Sequence, residues 1–162
     1  MMPTVYVETS IVSYLRQRPS NQVVTAARQL LTHRWWNLER EHYELVISQY
    51  VLDEAGAGNP ALAAERVALL EHIPLLPHAP EIVELAEQIM ALHVLPDKAQ
   101  VDALHIASVA YHEIDYLLTW NCKHIANARI LPRIYDLFAR LGIYIPTICT
   151  PEELLGEDTE HG

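Results

Sequence analysis

DALHIASVAYHEIDYLLTWNCKH, residues 102–124, contains an amphipathic helix, a turn and a buried strand with a polar end. Asp102 stands near the start of the helix and borders its apolar face. Residues 115–119 form an almost unbroken apolar run, as expected of a parallel strand that is buried on both faces. Thr119 and Asn121 end this strand, and open parallel sheets bind ligands just beyond the carboxyl ends of their strands. The stretch therefore offers a carboxylate on a helix and a polar pair at a strand tip.

Strands and helices alternate on either side of this stretch. Residues 4–7, TVYV, and 43–47, YELVI, have the β-branched and aromatic composition of short strands. Tyr144-Ile145 is a candidate for the last strand, and amphipathic helices fill the intervals. Alternation of this kind predicts an α/β fold of three layers, with a central, mostly parallel sheet flanked by helices.

Local signals predict several finer features. A helix is expected from about residue 21 to 39, with Val23, Leu30 and Trp35 at helical spacing. Trp35 and its neighbour Trp36 are interpreted as core or interface anchors. The segment PLLP lies between prolines, which favours an edge strand over residues 74–77. Ahead of the two predicted helices IVSYL and CKHIANA, Thr9-Ser10 and Asn121, respectively, are candidate caps.

The length of 162 residues fits one domain, and the apolar half of the chain suffices for a core. Residues 1–150 are expected to form that domain. The capping box Thr150-Pro151-Glu152-Glu153 predicts a short helix ahead of an acidic tail, both within residues 151–162. The N-terminus has no basic region ahead of an apolar stretch, and two cysteines make no disulfide framework. These features predict a cytoplasmic protein, and the lack of any run of about 18 apolar residues predicts no membrane span.

The net charge of −10 argues against a broad electrostatic grip on nucleic acid. Arginines cluster within the first 40 residues, however, so a local basic face stays open. The chain has no G-x-G-x-x-G motif, P-loop, G-x-S-x-G elbow or C-x-x-C pair. Dinucleotide, nucleoside triphosphate and acyl-transfer chemistries are therefore without support.

Four polar positions can meet at one edge of the predicted sheet. Glu8 follows the first strand, Glu54 lies six residues after Ser48 on the helix behind the second strand, and Asp102 and Asn121 complete the set. Three carboxylates held together repel one another unless a cation neutralises them. Oxygen ligands suit Mg²⁺ or Mn²⁺, which can orient a water and offset charge on a phosphoryl group. The pattern favours a metal-dependent phosphodiesterase.

Each of these positions also has a plainer explanation. Glu8 can be a solvated turn residue, and Lys98 is placed for an i,i+4 ion pair with Asp102. His105 lies one turn after Asp102 and can touch the same site, although a lone histidine on such a helix is more often structural.

The same residues resemble the four motifs of the PIN domain, the nuclease fold of VapC-type toxins from toxin–antitoxin pairs. The motifs read VYVETS, SQYVLDE, DALHIASVA and LLTWNCKH, and the last contains Thr119, Asn121 and His124. They occur in order, at suitable separations, over nearly the whole chain.

The resemblance implies a single-stranded RNA endonuclease of a type II toxin–antitoxin pair that uses one or two Mg²⁺ or Mn²⁺ ions. Glu8, Glu54 and Asp102 would hold an ion, and Asn121 would complete the catalytic set. The auxiliary residues that would orient these ligands are Thr9, Ser10 and Thr119. The resemblance further implies a homodimer and an antitoxin that binds near the site.

Two positions depart from the family pattern. Glu8 replaces the usual aspartate, and the extra methylene shifts a ligand by about 1 Å, a displacement that can cost on the order of 100-fold in rate. Asn121 replaces the acid found in many members, and the lost negative charge weakens the binding of a second ion. An alternative is therefore a PIN-fold module that binds RNA or protein without catalysis. A receiver-like phosphoacceptor domain is disfavoured, because Glu8 cannot readily serve as its central aspartate.

Overall fold

Four short strands form one parallel sheet at the centre of the protein, which a computed structural model describes over residues 1–156. The strands, in the sheet order β2-β1-β3-β4, are β2 (Glu44–Val46), β1 (Thr4–Val7), β3 (Tyr116–Leu118) and β4 (Thr147–Cys149). Val5, Tyr6 and Val7 of β1 are fully buried, so helices cover both faces of the sheet. The predicted three-layer α/β fold is confirmed.

Helices connect the strands throughout the described part of the chain. The α-helices are α1 (Thr9–Arg16), α2 (Val23–Arg34), α3 (Gln49–Ala55), α4 (Pro60–Leu70), α5 (Pro80–Met90), α6 (Gln100–Tyr111) and α7 (Leu131–Leu141). A π-helical turn (Trp35–Glu39) extends α2, and 3₁₀ turns precede β2 (Arg40–His42) and α6 (Asp97–Ala99). Within residues 1–156, no helix has both the length and the apolar character needed to cross a bilayer.

Helix α6 forms where the stretch from Asp102 predicted an amphipathic helix, but it is buried on most sides and not on one face alone. Its residues 105–110 are all buried, and α6 packs along α5. Ala103 and Ala107, which are fully buried, give α6 small side chains within the core. Asp102 and His105 are one turn apart and therefore lie on the same side of the helix.

The predicted helix over residues 21–39 is shorter in the structure, because its last turn widens into the π-helical segment. Trp35 and Trp36 are buried, which confirms them as core anchors. Val23 and Leu30 are 84% and 72% exposed, so they share the helical spacing of Trp35 but not its burial. Helical spacing identifies residues on a common face but not whether another element covers that face.

The last strand lies three residues beyond the predicted Tyr144-Ile145, at Thr147–Cys149. Pro146 directly precedes it, where the absent N–H removes no ladder hydrogen bond. The predicted edge strand over residues 74–77 is reduced to a single parallel bridge between Ile47 and Leu75. Both errors concern short segments whose pairing is decided by the neighbouring strand.

Two predicted helices are turns. After β3, Asn121 Oδ1 accepts a hydrogen bond from the His124 backbone N–H at 2.9 Å and closes a turn instead of starting a helix. Near the end of the described chain, the capping-box bonds between Thr150 and Glu153 form, but residues 151–154 make only a turn. The acidic tail over residues 157–162 lies outside the described residues.

Candidate active site

The first acid of the site, Glu8, follows β1 at the carboxyl edge of the sheet and is only 4% exposed. It is itself the N-cap of α1, where Thr9 and Ser10 had been predicted as caps, and its carboxylate accepts from the Ser10 backbone N–H at 3.2 Å. The hydroxyl of Ser10 also donates to Glu8, and Thr119 Oγ1 donates to Glu8 Oε1 at 2.5 Å. Internal donors thus replace the water that burial has removed.

The second acid, Glu54, projects from α3 and is half-buried. Thr9 Oγ1 donates to Glu54 Oε1 at 2.7 Å, and His105 Nε2 lies 2.6 Å from the same oxygen. His105 is fully buried, and its Nδ1 lies 2.6 Å from the Tyr6 hydroxyl, which in turn lies 2.6 Å from Ser48 Oγ. His105 therefore connects the acid on α3 to the interior of the sheet.

The third acid, Asp102, has partners from the segment after β3. Asn121 Nδ2 donates to Asp102 Oδ1 at 3.2 Å, and His124 Nδ1 lies 3.1 Å from Asp102 Oδ2. These contacts replace the alternative ion pair with Lys98. The Asn121 backbone N–H donates to Thr119 Oγ1 at 2.9 Å, which joins this group to Glu8.

The three acids differ in their electrostatic environments. Burial raises the pKa of Glu8, even though hydrogen bonds from Ser10 and Thr119 oppose it. Burial likewise raises the pKa of Asp102 against the opposing effect of its hydrogen bond with His124, with a further increase from the charge of Glu54. Burial also tends to raise the pKa of Glu54, but its hydrogen bonds with His105 and Thr9 outweigh this effect, so the pKa is lowered. Glu54 is therefore the acid most firmly held as a carboxylate.

The donor set fits a divalent cation. Glu8, Glu54 and His105 each offer one ligand atom, and these atoms lie within 4.8 Å of one another. No lysine or arginine is among the hydrogen-bond partners of Glu8 or Asp102 in the described part of the chain. Buried carboxylates without a cationic side chain are stabilised by a bound cation.

All the predicted site residues share the carboxyl edge of the sheet. One hydrogen-bonded group contains Glu8, Ser10, Thr119, Asn121 and Asp102, and a second joins Thr9 to Glu54. The compact set of possible ligands, however, includes His105 where the prediction has Asp102. The role of Asp102 as a ligand stays a prediction.

One further residue of the site, Tyr6, was not identified from the sequence. Tyr6 is two positions before Glu8, and side chains alternate along a strand, so both lie on the same face of the sheet. That alternation was a usable signal for Tyr6. Ser48, which the motif SQYVLDE includes, bonds through its hydroxyl to Tyr6 and makes no capping hydrogen bond at the start of α3.

Solved structures of three other proteins have a similar fold. VapC20 of Mycobacterium tuberculosis, a toxin that cleaves the sarcin-ricin loop, is 18% identical with a TM-score of 0.58, over 74% of this chain and 92% of that chain. VapBC2 of Rickettsia felis, bound to a DNA fragment from its promoter, is 12% identical with a TM-score of 0.56, over 91% and 98%. VapBC-1 of nontypeable Haemophilus influenzae is 14% identical with a TM-score of 0.55, over 92% and 98%. No protein-family model and no curated protein matches the sequence.

The sheet and its acidic edge define a parallel α/β domain with a carboxylate cluster beyond the strand ends. The likeness to the three structures shows that the fold is that of a VapC-type PIN domain. The resemblance of the four motifs is therefore confirmed at the level of the fold.

Proposed function

We propose that this protein is a metal-dependent endoribonuclease that cleaves single-stranded RNA, and that it is the toxin of a type II toxin–antitoxin pair. The observation that carries the proposal is that Glu8, Glu54 and Asp102 all lie at the carboxyl edge of the sheet in a VapC-type PIN fold. Carboxylates grouped in this way are typical of sites that bind Mg²⁺ or Mn²⁺.

Glu8, Glu54 and Asp102 are the proposed ligands, held directly or through water. A bound divalent ion supplies Lewis acidity toward water and phosphate oxygens. Oε2 of Glu54 is the oxygen proposed to face an ion, because Oε1 already accepts from Thr9 Oγ1 and lies 2.6 Å from His105 Nε2. Thr119 fixes one oxygen of Glu8, and Asn121 fixes one oxygen of Asp102. These residues set the direction in which each acid faces an ion and the RNA phosphate.

The RNA contact is proposed to lie beside Arg28, whose guanidinium stands 5.2 Å from the ring centroid of Trp120. Trp120 directly precedes Asn121, so a cation lies close to the acidic edge. Arginine binds phosphate through paired N–H donors, and a local basic contact of this kind is compatible with a net charge of −10.

A cognate antitoxin is the proposed protein partner. Two of the similar structures contain VapB together with VapC, which supports this proposal at the level of the fold. The homodimer and the cytoplasmic location rest on the family resemblance and on the cysteine content, respectively.

A second candidate function is a binding module that holds RNA or protein without catalysis. Glu8 favours it, because this acid is 4% exposed and both of its oxygens accept hydrogen bonds from within the chain. A carboxylate that is fully satisfied internally can serve the fold alone. Under this alternative, wild-type protein binds RNA but leaves it intact when Mn²⁺ is present.

The test compares cleavage of a mixed single-stranded RNA pool by wild type and two variants in the presence of Mg²⁺ or Mn²⁺. Asp102→Asn removes a site carboxylate, whereas Asp136→Asn makes the same chemical change at an exposed position on α7. We expect cleavage by wild type and Asp136→Asn, its abolition by EDTA, and a loss of at least about 100-fold in Asp102→Asn. Equal cleavage by all three proteins would show a contaminating nuclease, and absence of cleavage together with RNA binding would favour the binding module.

A further inference from the structure

We infer that His105 is a positioning residue, which donates a hydrogen bond to Glu54 at the end of a buried hydrogen-bond relay that runs from Ser48 through Tyr6 and His105 to Glu54. The link from this relay to RNA cleavage rests on the proposed function; the relay itself does not. His105 thereby orients the acid for an ion or substrate and is not itself a ligand.

The relay is continuous and almost completely shielded from water. Ser48 Oγ and the Tyr6 hydroxyl are 2.6 Å apart, Tyr6 and His105 Nδ1 are 2.6 Å apart, and His105 Nε2 and Glu54 Oε1 are 2.6 Å apart. Ser48 is 5% exposed, and Tyr6 and His105 are fully buried. Only Glu54, at the end of the series, reaches the solvent-accessible edge.

The proton count among the described residues favours one direction of the relay. Each of the three hydrogen bonds needs one proton between its two atoms. Ser48 and Tyr6 each supply one O–H donor. If Tyr6 donated to Ser48, the buried Ser48 proton would have no acceptor in the described part of the chain. When Ser48 donates to Tyr6 and Tyr6 donates to His105 Nδ1, every proton has an acceptor. His105 then carries its own proton on Nε2, directed at the Glu54 carboxylate.

This direction determines which atoms of the site are open. His105 Nε2 is committed to Glu54 Oε1, and Thr9 Oγ1 donates to the same oxygen. Glu54 Oε2 has no partner among the described residues and is the oxygen left for an ion. A histidine that ligates through Nε2 would instead need that nitrogen without its proton. The two roles of His105 thus require opposite tautomers.

The first test reads the tautomer directly. Long-range ¹H–¹⁵N spectra of ¹⁵N-labelled full-length protein, at one fixed and mildly alkaline pH, distinguish a proton on Nε2 from one on Nδ1 or on both. The His105 signal is assigned by its absence from His105→Gln. We expect the Nε2–H form, unchanged when Mg²⁺ is added. The inference would be overturned by a proton on Nδ1 alone or on both nitrogens. It would also be overturned if the Nε2 proton were lost when Mg²⁺ is added.

The second test removes single donors. Tyr6→Phe deletes only the hydroxyl, and Tyr111→Phe makes the same change on the exposed end of α6. We expect Tyr6→Phe to shift the Nδ1 resonance of His105, which loses its hydrogen-bond donor, and to weaken Mn²⁺ binding about 10- to 100-fold, as loss of a supporting hydrogen bond typically does. Tyr111→Phe should do neither. An unchanged His105 spectrum in Tyr6→Phe would refute the relay.

A pair of substitutions at His105 separates donation from space filling. Glutamine keeps an N–H near the position of Nε2, whereas leucine fills the volume without a donor. We expect His105→Gln to bind Mn²⁺ within about 5-fold of wild type and His105→Leu to lose about 10- to 100-fold. Equal losses would contradict the positioning role. Thermal unfolding of each variant shows whether it is folded. The tautomer measurement tests the relay even if the wild-type protein does not cleave RNA.

Discussion

Thr119 holds the buried carboxylate of Glu8, and Thr119→Val isolates that contribution. Valine has nearly the same shape but no hydroxyl, and Thr119 is fully buried. The substitution removes the 2.5 Å hydrogen bond to Glu8 Oε1 and leaves the Asn121 backbone N–H without its 2.9 Å acceptor. Both losses fall on the group of residues that forms the acidic edge.

The expected cost follows from these two bonds. A hydrogen bond to a charged group contributes about 1.5–3 kcal/mol, and a neutral one about 0.5–1.5 kcal/mol. We therefore expect Thr119→Val to lower the free energy of unfolding by about 2–4 kcal/mol. In a chain of this length that corresponds to a decrease in Tm of about 5–15 °C.

The assay is urea unfolding at neutral pH, supported by thermal melting, with Thr147→Val as the matched control. Thr147 is exposed on β4 and makes no side-chain hydrogen bond within the described chain. We expect the control to change stability by less than about 0.5 kcal/mol. A Thr119→Val protein as stable as Thr147→Val would refute the view that Thr119 supports a charged, buried Glu8.

Three other predictions concern charge and metal at the same edge. Because burial holds the pKa of Glu8 above its usual value, the folded state binds more protons than the unfolded state, and this acid's unfavourable contribution disappears as pH falls through its folded pKa. Glu8→Gln should therefore be more stable than wild type at neutral pH, and the difference in unfolding free energy should shrink on acidification. Urea unfolding at several pH values measures this difference, with the exposed Glu65→Gln as control. A difference that does not change with pH would contradict the prediction. Mn²⁺ at 100 times its Kd should raise the unfolding free energy of wild type by about 2.7 kcal/mol, which corresponds to a rise in Tm of about 5–10 °C. Calorimetric scans with Mn²⁺ and with EDTA should show this rise in wild type and not in Glu54→Gln. Asn121→Asp adds a carboxylate beside Asp102, so it should lower the metal-free Tm by a few degrees and tighten Mn²⁺ binding several-fold; a metal-free Tm equal to that of wild type would contradict the proximity of these two groups.

The sequence was sufficient to place the acidic edge. A parallel sheet brings the carboxyl ends of its strands to one side, so Glu8 after β1 and Asn121 after β3 had to lie near each other once the strands were identified. Asp102 followed from its position at the start of the helix that precedes β3. These predictions depend on chain topology, which local apolar patterns determine.

The partners of each acid depend on distances that no pattern encodes. Helical spacing placed Lys98 within reach of Asp102, but the backbone turn after β3 brings Asn121 and His124 there instead. His105 lies one turn from Asp102 and nevertheless bonds to Glu54, because α3 and α6 pack against each other. Such choices are made by tertiary packing.

Metal binding by the acids at the carboxyl edge is the central claim, and isothermal titration calorimetry with Mn²⁺ tests it most directly. Wild type, Glu54→Gln and the exposed control Glu65→Gln would be titrated after treatment with EDTA and dialysis. We predict a saturable isotherm for wild type and Glu65→Gln, and an affinity weaker by at least about 10-fold for Glu54→Gln. Saturable binding of equal affinity in all three proteins, or no binding by wild type, would contradict the claim.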